Sequence, residues 1–297
     1  MRLPNLTQIN LPIPVKTTMD IRNQTQTKRS QKDNATVPIV TLTSDFGLQD
    51  YYVSAMKGVI LRTAPSVRIV DLCHTIPPQS IESGAFVLQH AAREFPPSTV
   101  HCAVIDPGVG TARRALAFTS RNHVWVGPDN GLLHFALQDV DGSVYAIDPD
   151  RLKTGRLSAT FHGRDLFAPA AAHLANGRNL SDIGEPISDP QYLLSAPFQS
   201  RVDGVDGCVI HVDHFGNLVT NIPRSAIASL GEPLHVYVGT THHAIELKHT
   251  YAEADPNQLL ALVGSADLVE ISVNKGSARL RLDAEYGTSV RIEKQSV

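Results

Sequence analysis

From Val37 to about Asn176, short apolar runs alternate with stretches of helical period, and this alternation restricts the fold more than any other property of the chain. Val37–Leu42 is the first apolar run, and residues 50–63 then put Tyr52, Val53, Met56, Val59 and Ile60 on one helical face. Val67–Leu72 follows as a strand, Ile81–Phe95 as a helix closed by Pro96 and Pro97, and Thr99–Ile105 as a third strand. Spacings of three and four mark helices, while short β-branched runs bounded by turn residues mark strands. Ala115–Phe118 and Val124–Val126 read as hairpin partners; Leu132–Leu137 and the alanine-rich Arg164–Asn176 read as helices. This order predicts an α/β N-terminal domain whose mainly parallel sheet is covered on both faces.

Past about Pro190 the texture changes. Gly207–Asp213, His235–Val238, Leu259–Val263, Val269–Val273, Ala278–Leu282 and Ser289–Glu293 read as short strands, and only Pro223–Leu230 reads as helical. Strands at such intervals predict a smaller all-β C-terminal barrel domain. Residues 1–36 belong to neither pattern. They hold six Lys/Arg against two Asp, no glycine and no sustained period, which predicts a disordered polar tail. The expected division is therefore 1–36 tail, 37–190 α/β domain and 191–297 β-barrel domain.

Composition excludes several classes. A net charge of −3 does not suit a groove that neutralises nucleic-acid phosphates. No apolar run reaches the roughly 18 residues of a membrane span. Cys73, Cys102 and Cys208 are far apart and flanked by apolar residues, which suits buried thiols in a cytoplasmic protein rather than a zinc site or disulfide framework.

The strand Thr99–Ile105 delivers Asp106 into the turn Pro107-Gly108-Val109-Gly110, and Arg113 follows seven residues after the aspartate. Open α/β sheets carry their chemistry in turns at the carboxyl ends of strands. An exposed ion pair would have the same spacing. Asp45, in Thr43-Ser44-Asp45-Phe46-Gly47, ends the first strand. Its carboxylate suits a vicinal diol and equally suits an N-cap. His162 stands before the alanine-rich helix, where Arg164 and Asp165 can pair with each other. Asn217, in the turn Asp213-His214-Phe215-Gly216-Asn217, either satisfies the turn or offers its amide to the edge of an adenine. His211, Asp213 and His214 have no metal-site spacing, so no metal is expected. Neither a dinucleotide fingerprint nor a Gly-Lys-Ser/Thr phosphate loop is present.

Taken in order, Thr-Ser-Asp-Phe-Gly (43–47), Asp-Pro-Gly-Val-Gly-Thr-x-Arg (106–113), Pro-Asp-Asn-Gly-Leu (128–132), Phe-His-Gly-Arg-Asp-x-Phe-Ala-Pro (161–169) and Phe-Gly-Asn-x-x-Thr-Asn (215–221) resemble the S-adenosyl-L-methionine hydrolases. These are also called S-adenosylmethionine hydroxide adenosyltransferases, and they share a fold with fluorinases and chlorinases. The resemblance runs from about Ile39 to Ile292. It implies water attack at the ribose C5′ of S-adenosyl-L-methionine, giving adenosine and L-methionine with no cofactor. It also implies a homotrimer whose site lies between the N-terminal domain of one subunit and the C-terminal domain of the next. By the same resemblance Asp106, Arg113 and His162 are the catalytic triad, Asp45 binds ribose and Asn217 binds adenine. Ser265, Glu270 and Val273 close over the methionine and the base, and Asp213 touches the methionine amino group. The spacing from Asp213 to Phe215 is one residue shorter than in the halogenases. The halogenases carry uncharged residues where this chain has Asp106 and Arg113. A carboxylate beside the reacting carbon repels a halide and helps to orient or deprotonate a water. The residues leave open whether Asp106 or His162 is the base. A same-fold halogenase and a non-catalytic S-adenosylmethionine or adenosine sensor are the alternatives.

Overall fold

The N-terminal sheet is wound outward from its first strand. Its strands are β1 (Ile39–Ser44), β2 (Arg68–Cys73), β3 (Val100–Val104), β4 (Ala115–Ser120), β5 (His123–Pro128), β6 (Val144–Ile147) and β7 (Gly184–Ile187). Their spatial order is β2-β1-β3-β5-β4-β6-β7. The computed structural model describes residues 37–155, 157–193, 197–228, 230, 234–243 and 245–294; the tail expected over residues 1–36 lies outside them.

Helices α1 (Tyr52–Thr63), α2 (Ile81–Ala92), α3 (His134–Leu137), α4 (Pro149–Leu152) and α5 (Ala168–Ala175) connect these strands, and a single π-helical turn, Gly163–Phe167, leads into α5. The pleat sorts side chains to two faces. Val40, Leu42, Val100, Cys102 and Val104 share one core with Met56 and Ile60 of α1 and the alanines of α5. Ala103, Ile105, Leu116 and Phe118 share the other with Leu88 of α2 and Leu133. Small side chains on α5 let it lie close against α1.

The sheet is mixed, not mainly parallel. β2, β1, β3 and β5 run parallel, but β4 pairs antiparallel with β5 and with β6, and β6 antiparallel with β7. The β4–β5 hairpin turns on Arg121 and Asn122, both at positive φ (51° and 63°), the geometry that matches strand twist in a two-residue turn. β6 and β7 have four residues each, too short for a period to show in the sequence.

The order in which successive strands are added reverses at β1. β2 lies on one side of it and β3 on the other, with α1 and α2 on opposite faces. The carboxyl ends of two diverging parallel strands leave a crevice, and here the register pairs Ser44 with Val104 at its lip. Asp45 follows Ser44 directly, and Asp106 follows Val104 after Ile105.

The C-terminal strands are β8 (Gln199–Ser200), β9 (Gly204–Val212), β10 (Leu218–Pro223), β11 (Leu234–Val238), β12 (Thr241–His243), β13 (Leu247–Lys248), β14 (Leu259–Val263), β15 (Leu268–Val273) and β16 (Ser289–Lys294). They form one nearly closed, barrel-like sheet, β12-β11-β16-β9-β10-β15-β14-β13, with β8 on β9. Val209, Leu218, Ile222, Val236, Ile271 and Ile292 fill it. The expected helix after Pro223 is the single turn α6 (Arg224–Ile227). Ala278–Leu282 is helix α7 rather than a strand. Its Ala-Arg-Leu-Arg-Leu alternation imitates a strand, but the Ser277 hydroxyl accepts from the Leu280 amide at 3.3 Å and caps a helix of good formers. The two domains meet where Phe86 of α2 stacks on His211 of β9, with ring centroids 4.5 Å apart.

Candidate active site

The segment from Ile105 to Arg114 carries the chain from the end of β3 into β4. Its fold is local: Val109 N–H donates to Asp106 O at 3.2 Å and Thr111 N–H to Gly108 O at 3.2 Å. Gly110 has φ +78°, and a Cβ there would stand 2.3 Å from the Ala159 carbonyl oxygen, so only glycine lets this turn meet the 158–162 segment. The turn brings Arg113 back over Asp106. Arg113 Nε donates to Asp106 Oδ1 at 2.8 Å and Nη2 donates to Oδ2, a bidentate pair. The same Nη2 lies 2.9 Å from His162 Nδ1. The Asp106 side chain is 4% exposed and that of Arg113 10%.

This last contact fixes the imidazole. A guanidinium only donates, so His162 Nδ1 accepts and the ring carries its proton on Nε2. Burial lowers the His162 pKa, and the Arg113 cation lowers it further; Asp106 and Asp165 oppose that weakly. His162 is therefore a neutral ring whose Nε2–H is the group it offers. The π turn that follows is anchored by Arg164, which pairs with Asp165 at 2.7 Å and lies over the Phe161 ring at 4.9 Å.

Asp106 and His162 face a cavity of about 240 Å³ lined also by Phe46, Tyr51, Tyr52 and Phe161. These four rings form one cluster with centroids 4.7 to 6.1 Å apart. Aromatic faces beside a carboxylate favour a cation. Asp45, at the neighbouring strand end, accepts from the Gln79 amide at 2.7 Å through Oδ2, and among the described residues Oδ1 stays open.

The other expected residues meet elsewhere. Asp213, Asn217, Ser265, Glu270 and Val273 all line one cleft of about 840 Å³ in the C-terminal domain, which shares no lining residue with the first cavity. Asp213 organises its own turn: Oδ1 accepts from the Phe215 and Asn217 amides at 2.9 and 2.8 Å, and Oδ2 from Asn217 Nδ2 at 2.9 Å. It thereby aims Asn217, whose carboxamide oxygen and second N–H stay open among the described residues. Glu270 is buried, and its Oε1 accepts from Tyr251 O–H at 2.6 Å and Ser272 O–H at 2.7 Å. Burial raises the Tyr251 pKa and the Glu270 contact adds to it, so the phenol remains a donor.

Tyr251 and the aromatic cluster are absent from the sequence expectation. Thr250-Tyr251-Ala252-Glu253 does show a capping box, and both halves of it form. That signal marks a turn and does not say that Tyr251 meets a residue nineteen positions on. No three His, Cys, Asp or Glu among the described residues are grouped to hold a metal ion.

Residues 40–184 match the family model described as SAM hydroxide adenosyltransferase N-terminal domain, and residues 207–291 match the corresponding C-terminal domain. An (R)-S-adenosyl-L-methionine hydrolase from Salinispora arenicola is 43% identical over 264 residues, covering 87% of this chain and 98% of that protein. Another of that name, from Thermus thermophilus, is 38% identical, covering 84% and 97%. A fluorinase from Actinopolyspora mzabensis is more distant, at 27% over 88% of this chain and 99% of its own length. The crystal structure of an uncharacterized conserved protein from Thermotoga maritima superposes with a TM-score of 0.80 at 35% identity, covering 86% of this chain and all of that one.

Proposed function

The chain belongs to the SAM hydroxide adenosyltransferase family, and from that membership we propose that it hydrolyses S-adenosyl-L-methionine to adenosine and L-methionine. The observation that carries this reading is the Asp106–Arg113–His162 cluster, buried and paired yet facing a cavity. Water attacks the ribose C5′, the C5′–S bond breaks with its electron pair going to sulfur, and methionine leaves as a neutral thioether. His162 Nε2–H donates to the water oxygen and Asp106 takes the water proton, because the other ring nitrogen is already engaged by Arg113. Arg113 favours the negative charge that develops between them. The aromatic cluster receives the sulfonium before the bond breaks. A halide has no comparable welcome beside the Asp106 carboxylate.

Asp45 holds the ribose diol and Asn217 the adenine edge; Ser265, Glu270, Val273 and Tyr251 wall the C-terminal cleft around the rest. Asp213 acts through Asn217, as the three described bonds of its side chain run within its own turn. Two cavities without a common residue support a site completed between subunits, and we assign the protein as a homotrimer with an N-terminal domain facing the next subunit's C-terminal domain. Mixing an N-terminal-dead and a C-terminal-dead variant in equal amounts then restores about one quarter of the sites. Free Cys73, Cys102 and Cys208 support a cytoplasmic location, with no helix among the described residues long and apolar enough to cross a membrane.

The test is incubation with S-adenosyl-L-methionine in oxygen-18 water with chloride present. The assay is run separately on the (R) and (S) forms, since the relatives' names specify (R). Adenosine labelled at its 5′ oxygen, with methionine, is expected. A 5′-halogenated adenosine, or substrate bound without turnover, overturns the reading.

A further inference from the structure

Beneath the Asp45 turn lies a hydrogen-bonded Ser–His–Asp series that the reaction above does not use. Ser44 is the last residue of β1 and is fully buried. Its Oγ is 2.7 Å from His74 Nδ1 and accepts from the Phe46 amide at 3.3 Å. His74 Nε2 is 3.1 Å from Asp71 Oδ1, and Asp71 Oδ2 accepts from Lys57 Nζ at 2.6 Å. Burial works to raise the Asp71 pKa, but Lys57 and His74 outweigh it and keep the carboxyl below its ordinary value. An ionised carboxylate only accepts, so the His74 ring proton sits on Nε2 and Nδ1 accepts from the Ser44 hydroxyl. Every donor in the series has one direction. A nucleophilic role does not fit, because Ser44 Oγ lies inside the sheet and lines neither cavity of the proposed site.

The segment from His74 to Gln79 grips the Asp45 turn at three points. His74 holds Ser44 through its ring and Gly47 through its carbonyl, which accepts the Gly47 amide at 2.8 Å. Gln79 N–H holds Asp45 Oδ2 at 2.7 Å. Gln79 stands at φ +67° in a turn closed by Ser80 N–H to Pro77 O at 3.0 Å, where glycine is the ordinary residue. A strained amide aimed at a carboxylate persists only when its surroundings hold it.

We propose that His74 is a positioning residue for Asp45, setting the carboxylate through Ser44 and the 74–79 segment so that its open oxygen meets the ribose hydroxyls. The proposal rests on the assignment of Asp45 to ribose. Its test compares adenosine with 2′-deoxyadenosine as competitive inhibitors, because the ratio of their inhibition constants reads the carboxylate–diol contact. In the unaltered protein adenosine binds about tenfold tighter. In His74→Phe this ratio falls toward one, KM rises about tenfold and kcat stays within about twofold. Asp71→Asn, whose amide oxygen still accepts from Nε2–H, keeps the ratio, whereas Asp71→Leu loses it. The Asp71 pair carries the test if His74→Phe does not fold. A preserved ratio in His74→Phe or Asp71→Leu, whatever happens to Tm, overturns the proposal. Asp45→Ala is the control for the premise: if it keeps the ratio, the ribose assignment fails first.

Discussion

Arg113 and Arg114 are neighbours in sequence, and each meets an aspartate delivered by the carboxyl end of a parallel strand, yet the two pairs serve different ends. Arg113 pairs with Asp106 after β3, lies over the Phe167 ring, and also reaches the imidazole of His162 at the cavity wall. Arg114 points the other way, as successive residues entering a strand do. Its Nε meets Asp129, the residue after β5, at 2.8 Å, and its other nitrogens meet the Asp189 carboxylate and carbonyl, both at 2.6 Å. Asp129 is closed off on its second oxygen by the Gln191 amide at 2.6 Å. The pair around Arg114 binds the 189–191 connection to the sheet. The pair around Arg113 is equally ionic, but its Asp106 and the His162 beside it line a cavity. What distinguishes the proposed site from the staple is hydrogen-bonding capacity turned to a cavity, not charge or burial.

That contrast breaks if the two pairs respond alike to substitution. Asp106→Ala is expected to lower kcat about 10³-fold while substrate binding measured by calorimetry persists; unchanged kcat defeats the mechanism. Arg113→Lys comes next. Lysine cannot form the bidentate fork and reach His162 together, so kcat falls by about 10²-fold. Asp129→Ala is expected to cost about 2 kcal/mol in denaturant unfolding, less than a sealed pair because Arg114 is partly exposed, with kcat near that of the parent. A loss of turnover at fixed folded fraction in Asp129→Ala would make the staple part of the site.

The pH profile sharpens the same comparison, since only the Arg113 pair is coupled to an imidazole. Burial and the Arg113 cation hold His162 below its ordinary value of 6.5. Activity should therefore continue downward past pH 6.5 and fall only as the ring protonates in more acid solution. In Asp106→Asn the opposing carboxylate charge is gone, so the acid limb of the residual activity moves to lower pH. The stability sign is also fixed. An unfolded histidine takes its proton before a folded one of depressed pKa, so stability is lost as pH falls. His101, fully buried and pushed down to about 3, extends that loss across the window from 6.5 toward 3.

The parts of this arrangement that could be read from residues alone were those carried by adjacent positions. Asp106 to Arg113 spans one loop, and Asp213 to Asn217 one turn, so composition and spacing announce them. The parallel strands β1, β2 and β3 were legible because apolar and β-branched residues dominate each of them, even with Asp71 inside β2 and His101 inside β3. β6 and β7 were not, since four-residue strands show no period, and without them the sheet reads as mainly parallel. Ala278–Leu282 misled because alternation of Arg and Leu satisfies both a strand and a one-turn helix; only the Ser277 cap decides. Contacts between distant segments stayed hidden for a different reason. Tyr251 with Glu270, and Ser44 with His74, are brought together by strand order and register, which no local pattern encodes.

The smallest effect is expected at the outer edge of the Arg114 pair. Asp189→Ala removes a carboxylate that is 75% exposed and whose hydrogen bond to Arg114 lowers its pKa. A depressed carboxylate stabilises the fold above its unfolded pKa and loses that contribution as pH falls through its folded value. Water and salt screen so open a contact, and the Asp189 carbonyl still accepts from Arg114 Nη2 after substitution. Asp129 also keeps both of its donors. The midpoint of thermal unfolding should therefore move by no more than about two degrees at neutral pH, with kcat unchanged. A large drop in Tm would mean that the carboxylate rather than the carbonyl fastens the connection. A drop in kcat would mean that the connection itself reaches the site, and the separation of the two arginines into site and staple would no longer hold.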